Sequence, residues 1–199
     1  MLAGVQRVLL LGWRRVPRLV RRWIVRFAAP SFTVGAACVI ERDDGALLLV
    51  RLVYREGWGL PGGLIKRSET VADCARREVA EEVGLAVELT SEAAVVVDSR
   101  PQRVDVVFRA RPVPGTDPAA AAPRSAEIRE VRWFAVDDLP ALQHETVSAL
   151  AALAASVAGG SAAGTGAAGV STDGPADGGD GLRRAALAAR RQRSGGLRE

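Results

Sequence analysis

The spacing of apolar residues predicts strands and helices in the middle of the chain. Phe32–Ile40 and Ala46–Val53 are short apolar runs typical of strands, and a polar connection that ends in Gly45 joins them as a hairpin would. Further strands are predicted at 86–90, 93–99, 103–111 and 127–134. A helix start is predicted at Asp137–Pro140 and a last helix at 145–156. Strands interrupted by one helix and closed by another indicate the α/β class.

One predicted helix combines a packing face with an acidic face. Thr70 with Asp73 forms a capping box at its start, and Gly84 is typical of a helix end. Its apolar residues lie three to four apart, at Ala72, Ala75, Val79 and Val83. Its acidic face carries Glu78, Glu81 and Glu82, within about a third of the circumference.

This acidic face predicts a bound divalent cation. Like charges one turn apart on a helix cost a few tenths of a kcal/mol per pair, so three clustered glutamates need compensation. Carboxylate oxygens suit Mg²⁺ better than zinc. The preceding Gly62–Gly63 turn lets the backbone approach a ligand closely.

The same stretch resembles the complete signature of the Nudix hydrolase family. Gly63 is followed after five residues by Glu69, and after seven more by the run REVAEEVGL from Arg77 to Leu85. Residues 58–62 (WGLPG) are similar to the usual entry into that motif. The resemblance implies an α/β/α sandwich with a mixed β-sheet, which we place at residues 30–157.

The resemblance also implies the chemistry. It indicates a Mg²⁺-dependent hydrolase, with Mn²⁺ as an alternative metal, that cleaves the pyrophosphate bond of a nucleoside diphosphate linked to another group. The alternative is a Nudix module that binds a nucleotide as a sensor without turnover. An intact acidic cluster favours the enzyme, because a pure binder has no need of charges that destabilise the metal-free helix.

By resemblance, oxygen donors of the signature hold the metal: Glu78, Glu81, Glu82 and the Gly63 carbonyl. Glu69 and Arg77 form a supporting ion pair. The general base is left open between a helix glutamate, Glu81 or Glu82, and Glu127 in a later loop.

Residues outside the defining positions supply the expected substrate contacts: Arg51, Arg55, Lys66 and Phe108. Arg51 interrupts an apolar strand, so it forms either an ion pair or a phosphate contact. Lys66 and Ser68 differ from the usual residues of the family signature, which often has an acidic residue three positions before Glu69 and a glycine directly before it.

Both ends of the chain differ from the middle. Residues 1–29 form a predicted basic, amphipathic helical arm, with seven arginines and no acidic residue up to residue 28. The arm has three candidate contacts: the catalytic domain, an anionic membrane surface, or a nucleic-acid or protein partner. It lacks the roughly 18 to 20 apolar residues of a spanning helix. Residues 158–199 are rich in Ala, Gly, Ser and Asp and are predicted to be disordered, with a transient basic helix at 182–193.

Composition indicates the cellular location of the protein and limits the kinds of metal site it can form. Two cysteines, Cys38 and Cys74, suggest neither a disulfide framework nor a zinc site, so we expect a cytoplasmic protein, with the inner membrane face as an alternative location. A single histidine, His144, excludes histidine-based metal clusters and is expected at a helix start or on the surface. The sequence leaves a homodimer open and does not identify the nucleotide substrate, because selectivity depends on loops outside the signature.

Overall fold

The computed structural model describes residues 17, 18, 20, 31–99, 102–160 and 184–187. Most of the predicted arm and most of the predicted tail therefore lie outside the described residues. Within the described part, no helix has the length and apolar character that crossing a bilayer requires.

Three strands precede the first long helix of the described residues, and three more strands lie between it and the last helix. The strands are β1 (Thr33–Ile40), β2 (Leu47–Leu52), β3 (Gly62–Leu64), β4 (Val87–Asp98), β5 (Arg103–Pro112) and β6 (Ile128–Phe134). The helices are α1 (Val71–Val83) and α2 (His144–Gly160), with a 3₁₀ turn at Pro118–Ala120. The predicted α/β class, with strands interrupted by one helix and closed by another, is confirmed.

Four strands form a mixed sheet in the order β3-β1-β5-β4. Strands β1 and β5 run parallel, whereas β3 and β4 pair antiparallel with their neighbours. Strands β2 and β6 form a separate antiparallel pair. The mixed sheet that the resemblance implied is confirmed.

Alternate residues of the strands pack on opposite sides of the sheet, since side chains in a strand alternate with period two. Cys38 of β1 lies in a cluster with Val79 of α1, whereas the next residue, Val39, lies in a cluster with Leu150 of α2. The result is a three-layer α/β/α arrangement.

Local sequence signals set the ends of α1. The Thr70 hydroxyl accepts a hydrogen bond from the Asp73 N–H at 3.1 Å. At the other end, Gly84 adopts a left-handed φ of 72° and donates its N–H to the Ala80 carbonyl at 3.1 Å. The apolar stripe faces the core, with Val79 and Val83 both fully buried.

Three local predictions were wrong. Residues 87–98 form one strand rather than two, because a register irregularity between Leu89 and Ala93 lets β4 continue along β5. Gly62–Leu64 pairs with β1 as a short strand, which hydrophobic periodicity does not reveal. Asp137–Pro140 starts no helix; Asp138 closes a turn to the Ala135 carbonyl at 3.0 Å, and Pro140 disfavours helical backbone before it.

The loop between β5 and β6 is irregular apart from the 3₁₀ turn, and it is anchored to the domain. The Val113 N–H donates to the Ala86 carbonyl at 3.0 Å, and the Ala122 N–H donates to the Val83 carbonyl at 3.1 Å. The Trp133 indole N–H donates to the Pro118 carbonyl at 3.0 Å. These bonds hold the loop beside the end of α1.

Seven residues of the predicted tail are described, and all are helical: residues 158–160 end α2, and 184–187 form a separate turn. The separate turn falls within the stretch for which the sequence allows a basic helix. Ala185 is fully buried in the cluster that contains α2, and Arg184 lies 3.3 Å from Asp137. This turn therefore packs on the domain.

A buried ion pair joins the ends of two parallel strands. The Arg109 guanidinium donates to Oε2 of Glu41 at 3.0 Å and 2.6 Å, and each residue is only 6% exposed. Charges buried to this extent require a compensating partner. The pair therefore fixes the end of β1 against β5.

We expect Glu41→Ala to lower the free energy of unfolding by about 3 kcal/mol, because it removes the carboxylate that a buried guanidinium contacts. Urea denaturation measures this change. The matched control is Asp44→Ala, which removes an exposed ion pair with Arg42 and should change stability far less. Equal effects of the two substitutions would contradict the structural role of Glu41.

Candidate active site

An open cleft of about 710 Å³ lies beside the acidic face of α1. Its lining includes the residues predicted to hold a metal and the predicted loop base: Gly63, Glu78, Glu81, Glu82 and Glu127. The structure thus brings together the β3 glycines, the α1 carboxylates and the residue just before β6.

The two glycines of β3 let the backbone lie directly against the α1 carboxylates. The Gly62 N–H donates to Oε2 of Glu82 at 2.9 Å. A Cβ placed on Gly63 would lie 2.5 Å from Oε1 of Glu78, which is closer than real contacts allow. A side chain at residue 63 would therefore displace Glu78.

Glu82 occupies an unusual electrostatic position, since it is a carboxylate with only 9% exposure. Burial is the main cause that raises the pKa of Glu82 to about 7. The negative charges of Glu78, Glu127 and Glu81 raise it further, while the hydrogen bond from Gly62 opposes the shift. Without a cation, Glu82 is therefore partly protonated near neutral pH.

Arg77 connects the loop before α1 to the acidic face. Its guanidinium donates to both carboxylate oxygens of Glu69, at 2.7 Å and 3.0 Å. Its Nη1 also donates to Glu78 at 2.7 Å and to Glu81 at 3.0 Å. Arg77 therefore offsets part of the repulsion on α1.

Glu69 is held from two sides. The hydrogen bond from Arg77 is the main cause that lowers the pKa of Glu69 to about 2, and the Lys66 N–H, at 2.8 Å, contributes as well. The residue before it, Ser68, has a left-handed φ of 65°. This is the position where the family often has a glycine, and the backbone keeps the conformation that a glycine would adopt without strain.

The residues around Gly63 fit a hard divalent cation by their donor chemistry, because carboxylate and carbonyl oxygens are the ligands that such cations prefer. Within the described part of the chain, no three acidic, histidine or cysteine side chains are already gathered into a metal shell. Glu78 and Glu81 are instead turned toward Arg77. The Arg77 bonds use Oε1 of Glu78 and Oε2 of Glu81, so each carboxylate keeps a second oxygen, not bound to Arg77, with which it could contact a cation.

Glu127 lines the same cleft and is supported from the loop after β2. Its carbonyl accepts the Val53 N–H at 2.9 Å, and its carboxylate accepts the Tyr54 hydroxyl at 3.2 Å. Burial and the charge of Glu127 raise the pKa of Tyr54. Sequence reasoning did not single out Tyr54, since an exposed aromatic residue in a loop carries no signal of its own.

Of the four predicted substrate contacts, only Arg55 lines the cleft. Arg55 lines the cleft, and its Nη2 donates to Glu145 at 2.5 Å. Lys66 lies outside the cleft lining, although its ammonium is 3.4 Å from Glu81.

The other two predicted contacts are not brought to the cleft. Arg51 lies opposite Glu130 of β6, with 4.0 Å between the charged groups, so the ion pair is the alternative that the structure contains. Phe108 packs against the cluster that contains α1, because strand alternation turns it to the face opposite Val107, which lines the cleft.

Several cleft residues were not predicted. Asp98, Arg103 and Asp105 lie on alternate positions of β4 and β5 and line the cleft. The charged residues at 103 and 105 show the period-two pattern, but only the sheet order reveals which face they share. Gln143 also lines the cleft, and among the described residues its buried Nε2 has no hydrogen-bond partner.

Comparison with known proteins places the fold in a family. A family model described as the NUDIX domain matches residues 31–153. The MutT-like protein of Streptomyces ambofaciens is 34% identical over 110 residues, which cover 55% of this chain and 68% of that protein. The human 8-oxo-dGDP phosphatase NUDT18 is 34% identical over 113 residues, and the match spans 55% of this chain but only 33% of that protein.

Solved structures agree on the architecture. A UDP-X diphosphatase structure superposes with a TM-score of 0.54 at 20% identity, covering 73% of each chain. An ADP-ribose pyrophosphatase from Streptococcus suis 89-1591 has a TM-score of 0.50 at 23% identity, covering 80% of this chain and 93% of that one. At these identities the likeness concerns the fold alone.

The burial of Glu82 predicts a pH-dependent loss of stability in the metal-free protein. Between pH 4.5, the usual pKa of glutamate, and about 7, native Glu82 keeps a proton that the unfolded chain has released. The free energy of unfolding therefore falls as pH rises through this window, by about 3 kcal/mol from this group.

Urea denaturation in EDTA, from pH 4 to pH 8, would compare the wild type with two variants. Glu82→Gln should lack this component of the pH dependence. Glu81→Gln is the matched control, because Glu81 is 53% exposed. This variant should keep the pH-dependent component. Parallel pH profiles for the wild type and Glu82→Gln would contradict the assignment.

Proposed function

This chain belongs to the Nudix hydrolase family, and on that premise we propose that it is a Mg²⁺-dependent pyrophosphohydrolase. Its substrate would be a nucleoside diphosphate linked to another group, and the pyrophosphate bond is the one cleaved. Nudix hydrolases generally use divalent metal ions, and Mg²⁺ is the cation that an all-oxygen donor set with phosphate ligands favours.

One observation carries the proposal: a buried glutamate, Glu82, lies beside the Gly62–Gly63 backbone in an open cleft. A carboxylate in this position destabilises the metal-free protein as pH rises toward neutral. A bound cation would reverse that effect, because it favours the charged carboxylate. The arrangement is therefore suited to holding a cation.

Cleaving a phosphoanhydride requires neutralisation of phosphate charge and placement of a water molecule. Glu78, Glu82 and the Gly63 carbonyl would hold the metal, with Glu81 as a further ligand. The metal would supply charge neutralisation and a lowered pKa of bound water. Lys66 would add positive charge beside Glu81 at the edge of the site.

Glu127 is our choice as general base. It lines the cleft from just before β6, and the Tyr54 hydroxyl donates a hydrogen bond to its carboxylate at 3.2 Å. In this position it would accept a proton from the attacking water, whereas Glu81 and Glu82 remain with the metal. The exposed tyrosine acts by orienting Glu127.

The alternative is a nucleotide sensor that binds without turnover. A sensor would not require both a cluster of carboxylates suited to a metal and a separate carboxylate from another element. The cleft is lined by the α1 glutamates and by Glu127, which supports catalysis over sensing.

We expect Glu82→Gln to lower turnover by at least two orders of magnitude while the protein stays folded, because the variant loses the central anionic ligand. The assay offers nucleoside triphosphates, dinucleotides and nucleotide sugars with Mg²⁺. Glu88→Gln is the matched control, since Glu88 is exposed on β4 outside the cleft, and it should retain wild-type rates. A wild-type protein that hydrolyses none of these compounds would refute the enzyme assignment.

We expect Glu127→Gln to lower kcat by about 10²- to 10⁴-fold, the usual contribution of a general base. Mg²⁺ binding, measured by calorimetry, should stay close to wild type, because Glu127 is not a proposed ligand. Glu130→Gln, in the following strand and outside the cleft lining, serves as the control. An unchanged kcat in Glu127→Gln would instead assign the base to α1.

A further inference from the structure

Two charged residues of β5 form an ordered pair on the sheet side of the cleft. The Arg103 Nε donates to both carboxylate oxygens of Asp105, at 2.9 Å and 2.7 Å. Both residues line the cleft, and their side chains are 39% and 20% exposed, respectively. The pair therefore has a fixed geometry and an accessible face.

The terminal nitrogens of Arg103 are available to a ligand. Within the described residues, neither Nη1 nor Nη2 makes a hydrogen bond, since all the bonds of Arg103 to Asp105 use Nε. Arg55, which also lines the cleft, differs because its Nη2 already contacts Glu145. Arg103 thus presents the two-pronged end of its guanidinium to the cleft.

Gly35 brings this pair close to the proposed metal site. A Cβ placed on Gly35 would collide with the Asp105 carboxylate, and it would lie 3.0 Å from Nη2 of Arg103 and 3.0 Å from the Gly63 carbonyl oxygen. Since both atoms lie 3.0 Å from the same point, they are at most about 6 Å apart. A single phosphate group could therefore span the distance from the guanidinium to the Gly63 carbonyl, which we assign to the metal.

We propose that Arg103, oriented by Asp105 above Gly35, binds a phosphoryl oxygen of the substrate diphosphate. The diphosphate then lies between the α1 carboxylates on one side and the Arg103 guanidinium on the other. This inference rests on the proposed function. A guanidinium suits the task because its paired N–H groups match phosphate oxygens in geometry and charge.

The backbone explains why this pair needs a glycine beside it. Gly35 lies opposite Asp105 in the parallel β1–β5 register and opposite Leu64 in the β1–β3 register. A side chain at residue 35 would occupy the space between the Arg103–Asp105 pair and Gly63. The absence of that side chain keeps the space open between the guanidinium and the Gly63 carbonyl.

Isothermal titration calorimetry with the full chain and Mg²⁺ tests the proposal. The probes are methylenediphosphonate and α,β-methylene-ADP, which carry a diphosphate-like group that resists hydrolysis. Arg103→Gln should weaken both by about 10- to 100-fold, the range of a charge-assisted hydrogen bond. Arg103→Lys keeps the positive charge but loses the paired N–H groups of the guanidinium. It should therefore weaken the binding of both probes less than Arg103→Gln does.

Arg111→Gln is the matched control, because Arg111 lies on the same strand and the same face as Arg103 but outside the cleft lining. It should bind both probes as the wild type does. With a hydrolysed substrate, Arg103→Gln should raise KM, whereas a purely structural defect would lower the thermal midpoint and the amount of active protein. Thermal melting of each variant separates these cases.

A folded Arg103→Gln variant with wild-type affinity for both probes would overturn the inference. If that variant does not fold, Arg103→Lys decides: a loss of several-fold supports the inference, and wild-type affinity refutes it. When the wild type hydrolyses phosphoanhydrides and Glu82→Gln does not, a negative result at Arg103 refutes only this inference. A wild type that neither binds the probes nor hydrolyses any substrate refutes both proposals.

Discussion

The site depends on mutual repulsion among carboxylates and on the cation that offsets it. In the metal-free protein that cation is the Arg77 guanidinium, which contacts Glu69, Glu78 and Glu81 together. These contacts tie the loop before α1 to the helix itself. Arg77 also donates to the Leu64 carbonyl at 3.3 Å, so one guanidinium joins β3, the loop after it and α1.

The sheet supplies the second half of the site. Because β1 and β5 run parallel with β3 and β4 at their outer edges, residues from all four strands reach the face that borders the cleft. One face packs against α1 and the other against α2. Charged residues of β5 can therefore lie beside the cleft while their sequence neighbours are packed in the core. Glu127, which also lines the cleft, comes directly before β6.

Sequence reasoning succeeded where the signals are local. The ends of α1 follow from Thr70 and Gly84, and its buried stripe follows from helical periodicity. It failed where the answer depends on which side of a strand faces the cleft. Phe108 and Asp105 belong to the same strand and have opposite surroundings, and no property of the isolated strand distinguishes them. Arg51 shows the same limit, since its partner Glu130 is 79 residues away in sequence and becomes its neighbour only through β2–β6 pairing.

Ser68 shows how much variation the signature tolerates. A left-handed backbone in a residue other than glycine costs about 1 to 2 kcal/mol, and here the neighbouring Glu69 is held by both Arg77 and the Lys66 backbone. The anchor at Glu69, rather than the residue before it, thus maintains the loop. A serine is therefore accommodated at this position, and a search pattern that required glycine there would miss this chain although its loop is intact.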